Sequence, residues 1–214
     1  MKNIYKNISL RMAAVLAVVF CLNSCLEKIP GDYIPEEEGM QTLNDAEQTL
    51  TGIYTAYMSG GLYSGYLTLT PDIQADLVYA VKGNTNAYGN IWQWDIRSTS
   101  SEIEAVYASL YTVIGRCNFF LDKVAALRES LTDDDSIETL DFYTGEVYCA
   151  RALAYSELIK CFCKAYDPAT AETDLGVVLR SSYTKPEPVV RASLKKSYEF
   201  VLADLAKAEE LLDE

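Results

Sequence analysis

Ser101-Glu102-Ile103-Glu104-Ala105-Val106-Tyr107-Ala108-Ser109-Leu110-Tyr111-Thr112-Val113-Ile114-Gly115-Arg116-Cys117-Asn118-Phe119-Phe120-Leu121-Asp122-Lys123-Val124 places apolar side chains at Tyr107, Leu110, Ile114, Cys117, Leu121 and Val124. The steps are 3, 4, 3, 4 and 3. Side chains at that spacing fall on one face of an α-helix and on both faces of a strand, so the segment predicts a helix of about five turns. Ser101 and Glu104 stand at capping-box spacing at its start.

The same period recurs on both sides. Downstream, Thr132–Asp135 reads as a turn whose acids suit the positive start of a helix. Leu140, Tyr143, Val147, Ala150 and Ala154 then carry a second long helix to about Tyr166, where Asp167-Pro168 ends it. After a short β-rich piece, Gly176–Arg180, and a rigid Lys185–Pro188 spacer, Ser193 caps a further helix. Its stripe is Leu194, Tyr198, Val201, Leu205, Ala208 and Leu212, with no later element to cover it, so a chain truncated at this end is expected. Upstream, Thr42 with Asp45 starts a helix that runs to about Met58 on Ala46, Leu50, Ile53 and Tyr57. Long helices joined by short turns make an all-α fold of TPR-like antiparallel pairs over residues 42–214.

Gly60–Ser100 differs in kind. Tyr63, Tyr66, Tyr79, Tyr88, Trp92 and Trp94 are interleaved with glycines and polar residues, and helical periodicity is weak. The expectation is an irregular aromatic-rich loop region, with a short helix near Ile73–Tyr79 and a short extended pair.

Residues 1–24 form a different unit. Lys2, Lys6 and Arg11 precede an apolar run, Met12–Leu22, of 11 residues, followed by Asn23, Ser24 and Cys25. That order is a secretory signal peptide. A cysteine directly after a small residue reads as a lipoprotein signal, with Cys25 acylated and residues 25–41 a tether; the alternative is a plain secretory signal with an incidental cysteine. The run is too short to span a bilayer, which takes about 20 residues.

The formal net charge is −13. Such a field repels phosphate backbones and anionic headgroups, which excludes nucleic acid and leaves the acyl anchor as the membrane attachment. The chain has no histidine and no CxxC, so neither a metal site nor a cofactor is expected. Cys117, Cys149, Cys161 and Cys163 read as core-filling thiols or as the source of one disulfide.

Several ordered segments resemble the N-terminal part of a SusD/RagB-type outer-membrane nutrient-binding lipoprotein. They are Ala46 through Gly52-Ile53-Tyr54; Ala105–Tyr111 followed by Arg116-Cys117-Asn118; Gly145-Glu146 through Arg151-Ala152-Leu153-Ala154-Tyr155; Gly176-Val177-Val178-Leu179; and Arg191-Ala192-Ser193 with Tyr198, Asp204-Leu205 and Ala208. Val178 stands where the family usually has proline. The resemblance implies a surface-exposed, lipid-anchored protein of the outer membrane. Such a protein binds oligosaccharide or other oligomeric nutrients and delivers them to a TonB-dependent, SusC-like channel without catalysis.

Within that role Tyr66, Tyr88, Asn90, Trp92 and Trp94 are the expected ligand-binding residues. Aromatic rings stack on the C–H faces of sugars, and amides meet their hydroxyls. The alternative for these rings is ordinary packing over helix ends. Two competing functions are a surface glycoside hydrolase using paired carboxylates, with Asp72 and Asp76 four apart, and a helical-repeat scaffold or adhesive lipoprotein. Arg151, set in an apolar-rich helix, is expected to form an ion pair between helices.

Overall fold

The computed structural model describes residues 39–212. The leader, Cys25 and most of the 25–41 tether lie outside them. Helix α1 (Leu43–Tyr57) begins at the expected box: the Thr42 hydroxyl accepts from the Asp45 N–H at 3.2 Å, and the Asp45 carboxylate accepts from the Thr42 N–H at 2.9 Å. Its buried residues are Ala46, Leu50, Ile53 and Tyr57, the stripe read from the sequence.

Two short helices follow, α2 (Tyr66–Gln74) and α3 (Gly89–Trp92). The expected helix at Ile73–Tyr79 is therefore displaced upstream, and no strand forms between Gly60 and Ser100. Burial of Leu67 and Ile73 holds α2 although Pro71 sits inside it and lacks a helical N–H. Tertiary contact here outweighs local propensity.

Helix α4 (Ser101–Ser130) has Ser100 at its N-cap position without a side-chain cap, and the expected Ser101/Glu104 box does not form. The Ser101 hydroxyl turns to Glu102 instead, and Ser100 Oγ accepts from the Arg97 N–H at 3.1 Å. The buried residues are Val106, Leu110, Val113, Ile114, Cys117, Asn118, Phe120 and Leu127. This arc is wider than one seam because α4 is wedged between α1 and α5 (Asp134–Phe162). Tyr107 lies at its margin, tilted against Tyr111 and edge-on to Phe162. Leu121 and Val124 are half-buried.

Asp133 caps α5 by accepting from the Ser136 N–H at 2.9 Å. The helix ends at Phe162, short of the expected Tyr166. Arg191 explains the stop: its guanidinium donates to the carbonyls of Phe162, Leu175 and Gly176, tying the helix end to the strands. Strands β1 (Leu175–Val178) and β2 (Arg191–Ser193) pair antiparallel, with a register slip between Leu175↔Ser193 and Val178↔Arg191. Gly176 must be small. A Cβ there would lie 2.5 Å from the Ser193 carbonyl oxygen, backbone that cannot swing aside. Gly176→Ala is expected to cost about 1–3 kcal/mol as an overpacking change, read as a lower midpoint in chemical denaturation.

Helix α6 (Leu194–Leu212) starts with Ser193 Oγ accepting from the Lys196 N–H at 3.3 Å. It packs antiparallel on α5 through Leu194, Ser197, Val201, Asp204 and Ala208. The expected stripe is thus only partly right: Tyr198 and Leu205 are 36% and 42% exposed. Ser197 and Asp204 displace them inward because each has a partner there. Ser197 Oγ accepts from the Val177 N–H, and Asp204 takes both arms of Arg151 at 2.8 and 2.7 Å. The inter-helix pair expected for Arg151 is present. Both side chains are buried, and Nη1 also donates to Asn118 Oδ1 at 2.7 Å. Burial alone would lower the guanidinium's pKa, but the hydrogen bonds and charge of Asp204 reverse this and raise it.

All four described thiols are free. Only Cys117 fills the core, where burial pushes it up to about 12. Cys149 and Cys161 are exposed, which corrects the core-filling expectation for them, and no disulfide forms. Among the described residues no helix is long and apolar enough to cross a membrane.

Candidate functional site

The irregular region is organised by two helix ends of the same kind. At the end of α2 the Leu77 N–H bonds the Asp72 carbonyl and the Asp76 N–H bonds the Ile73 carbonyl. This 6→1 and 5→2 pattern is a Schellman motif, and it forces the residue between them, Asp76, to φ +57°. At the end of α3 the Asp95 N–H bonds the Asn90 carbonyl and the Trp94 N–H bonds the Ile91 carbonyl. Trp94 is thereby forced to φ +58°. Glycine is the usual occupant of that position, since a Cβ costs roughly 1–2 kcal/mol there. A bulky tryptophan in it is an outlier.

The two ends meet. Trp92, the last residue of α3, donates its indole Nε1–H to Asp76 Oδ1 at 3.2 Å. Trp92 is 55% exposed and Trp94 67% exposed, while Ile91, just before them, is buried and anchors the turn. Asn86 and Tyr88, at φ +58° and +61°, complete the left-handed residues outside glycine among those described. Asn84 braces this loop by accepting from the Asn86 N–H at 2.7 Å and donating to the Val81 carbonyl.

The expected ligand residues divide accordingly. Tyr66 and Tyr88 come together edge-on, with centroids 6.0 Å apart. Both are half-buried, and Tyr66 packs on the core, so they seat the loop. Trp92 and Trp94 present open rings, and Asn90 is exposed on the same short helix. Asp72 and Asp76 do not share a helix face: the helix stops between them and Asp76 is engaged by Trp92. Nearby, Arg97 grips Asp95 through Nε and Nη2 at 2.9 and 3.0 Å, which holds the Asp95 carboxyl below its ordinary range.

Apart from this exposed surface, a concavity of about 400 Å³ lies between α4 and the segment after β1. Tyr107, Tyr111, Ile114, Val178, Tyr183 and Val189 make most of its wall, and Asn118 and Arg180 its polar edge. The sequence reading missed it because its two walls are about 60 residues apart. Asp122 builds the far wall, accepting from the Tyr183 N–H at 2.9 Å and from the Ser182 hydroxyl at 2.7 Å.

Comparison with known proteins places this architecture. Residues 22–214 match a family model, SusD-like, described as starch-binding associating with outer membrane. Among curated proteins none matches. A solved sugar-binding protein, so named as putative, from Bacteroides vulgatus ATCC 8482 superposes with TM-score 0.66 at 25% identity, over 81% of this chain and 38% of its own. A SusD superfamily protein from Bacteroides thetaiotaomicron VPI-5482 superposes with TM-score 0.66 at 21% identity, over 79% of this chain and 37% of its own. A SusD homolog from the same organism gives 0.65 at 24%, over 82% and 31%. The chain therefore spans less than two-fifths of the length of these structures. With a family model covering nearly all of it and this mostly helical scaffold, the chain belongs to the SusD-like family.

Proposed function

We propose that the protein is a lipid-anchored binding protein of the outer membrane that captures oligosaccharides through Trp92 and Trp94. In this role it passes them to a TonB-dependent, SusC-like channel, and it performs no chemistry on them. The observation that carries this is Trp94: a large exposed ring held at a left-handed cap, where glycine is the stable choice. Strain kept at an exposed aromatic residue is intelligible where the ring has a ligand to meet. A flat ring stacked on a sugar face, with Asn90 beside it for hydroxyls, suits many weak contacts with an oligomer. Tyr66 and Tyr88 serve by seating the loop. The family's description and the sugar-binding structural relative support the ligand class.

Cys25, as the acylated first residue of the mature protein, supplies the anchor. Each buried methylene of an acyl chain contributes about 0.8 kcal/mol, so two or more chains hold the protein firmly. Calorimetric titration with glycan oligomers of increasing length should show affinity rising with length, and no new reducing ends should appear during incubation. In cells, Cys25→Ala should move the protein from the membrane pellet to the soluble fraction. Continued sedimentation of that variant would refute the anchor, and turnover of glycan would refute the non-catalytic role.

A further inference from the structure

We propose that Asp76 is the positioning residue of Trp92, and that its charge confines the ring's ligands to neutral glycans. This rests on the assignment of Trp92 and Trp94 to glycan capture. Half-exposed indoles rotate about two bonds unless something holds them, and a freely rotating ring loses part of its affinity to ordering on binding. Trp92 is held at its one polar atom by a charge-assisted bond from Nε1 to Asp76 Oδ1 at 3.2 Å. Asp76 is itself fixed, because the cap of α2 dictates its backbone. Aspartate is also among the few side chains that tolerate that conformation. The second carboxylate oxygen, left beside an open ring, is a good acceptor for a sugar hydroxyl. It is a poor neighbour for a uronate or sulfate group. Of the two cations in this region, Arg97 is already neutralised by Asp95, while Lys82, exposed between α2 and α3, is outnumbered by the carboxylates of Asp72 and Asp76. The net charge of the chain, −13, adds to the repulsion.

The chain contains two tryptophans, Trp92 and Trp94, so its indole fluorescence reports on this site alone. Two variants separate the roles. Asp76→Gly keeps the left-handed backbone and removes the carboxylate, and Asp76→Asn keeps an acceptor oxygen and removes the charge. In the complete chain, without ligand, Asp76→Gly should lower the fluorescence anisotropy and Asp76→Asn should restore it. Against the neutral probes maltoheptaose and cellohexaose, Asp76→Gly should bind roughly tenfold more weakly, with Asp76→Asn close to wild type. Oligogalacturonate of similar length should not bind wild type measurably and should gain affinity in Asp76→Asn.

Unchanged anisotropy in Asp76→Gly overturns the positioning role, whatever the sugars do. Equal binding of neutral and anionic oligomers by wild type and Asp76→Asn overturns the charge restriction. If no sugar binds the wild type, the capture function and the charge restriction fall together, while anisotropy still decides whether Asp76 holds the ring.

Discussion

Arg151→Met is expected to lower the unfolding free energy by about 3–5 kcal/mol, because it strands a buried carboxylate. Asp204 faces Arg151 across the α5–α6 interface at 2.7 Å, and both side chains are only 6–7% exposed. Methionine fills much of the volume but supplies no donor, so Asp204 loses two hydrogen bonds and its countercharge together. Asn118 loses a third bond, and its Nδ2 is the group that donates to the Arg180 carbonyl and holds the segment after β1. The Arg151→Met/Asp204→Leu double variant should recover much of the loss, since a buried ion pair replaced on both sides by apolar groups is often neutral or better.

The pH dependence of the single variant has a definite sign. An unpaired buried carboxylate has its folded-state pKa raised above the unfolded value. The folded state then binds more protons than the unfolded one, so the variant's stability falls as pH rises through that window and recovers on acidification. Denaturant midpoints across pH 5–8 test both points. A single-variant loss below about 1 kcal/mol, or a double variant as unstable as the single, would show that the pair is not what joins α5 to α6.

The second large effect sets stability against binding. Trp94→Gly should raise stability by up to about 1 kcal/mol: relief of roughly 1–2 kcal/mol of left-handed strain is offset in part by the added freedom of glycine in the unfolded chain. Trp94 is 67% exposed, so little apolar burial is lost. Combined with Trp92→Ala, the same change should reduce oligosaccharide affinity by roughly thirtyfold or more, taking about 1–3 kcal/mol for each ring, with base–aromatic stacking as the nearest measured analogue. Thermal melts and calorimetric titration on one preparation distinguish the effects. Destabilisation by Trp94→Gly would mean that the ring is structural, and retained affinity in the double variant would move the site elsewhere, with the cleft beside Tyr107 and Tyr183 the next place to look.

Legibility followed the range of the interaction. Helix α1 was readable to within a residue at either end because its cap, Thr42 with Asp45, and its stripe are all local. The Asp133 cap and the buried Leu140, Val147, Ala150 and Ala154 of α5 were readable for the same reason. In α6 the phase was wrong by the width of one residue pair. Hydrophobicity favours Tyr198 and Leu205 over Ser197 and Asp204, and only partners on β1 and α5 reverse that preference. The end of α5 was misplaced because Arg191, 29 residues on, terminates it.

At the site, residue type was legible and arrangement was not. Exposed rings could be anticipated from aromatic residues among glycines and amides. The left-handed caps at Asp76 and Trp94 could not, because neither residue carries glycine's usual signal for that conformation.

Periodicity and local caps, which act between residues within a turn or two, already imply several amphipathic helices and the class of fold they build. Long-range pairing chose the phase of α6, the stop of α5 and the meeting of Trp92 with Asp76. Each of those choices is a competition between burying an apolar ring and satisfying a buried or fixed polar group. Its outcome turns on a partner that is near only once the chain has folded.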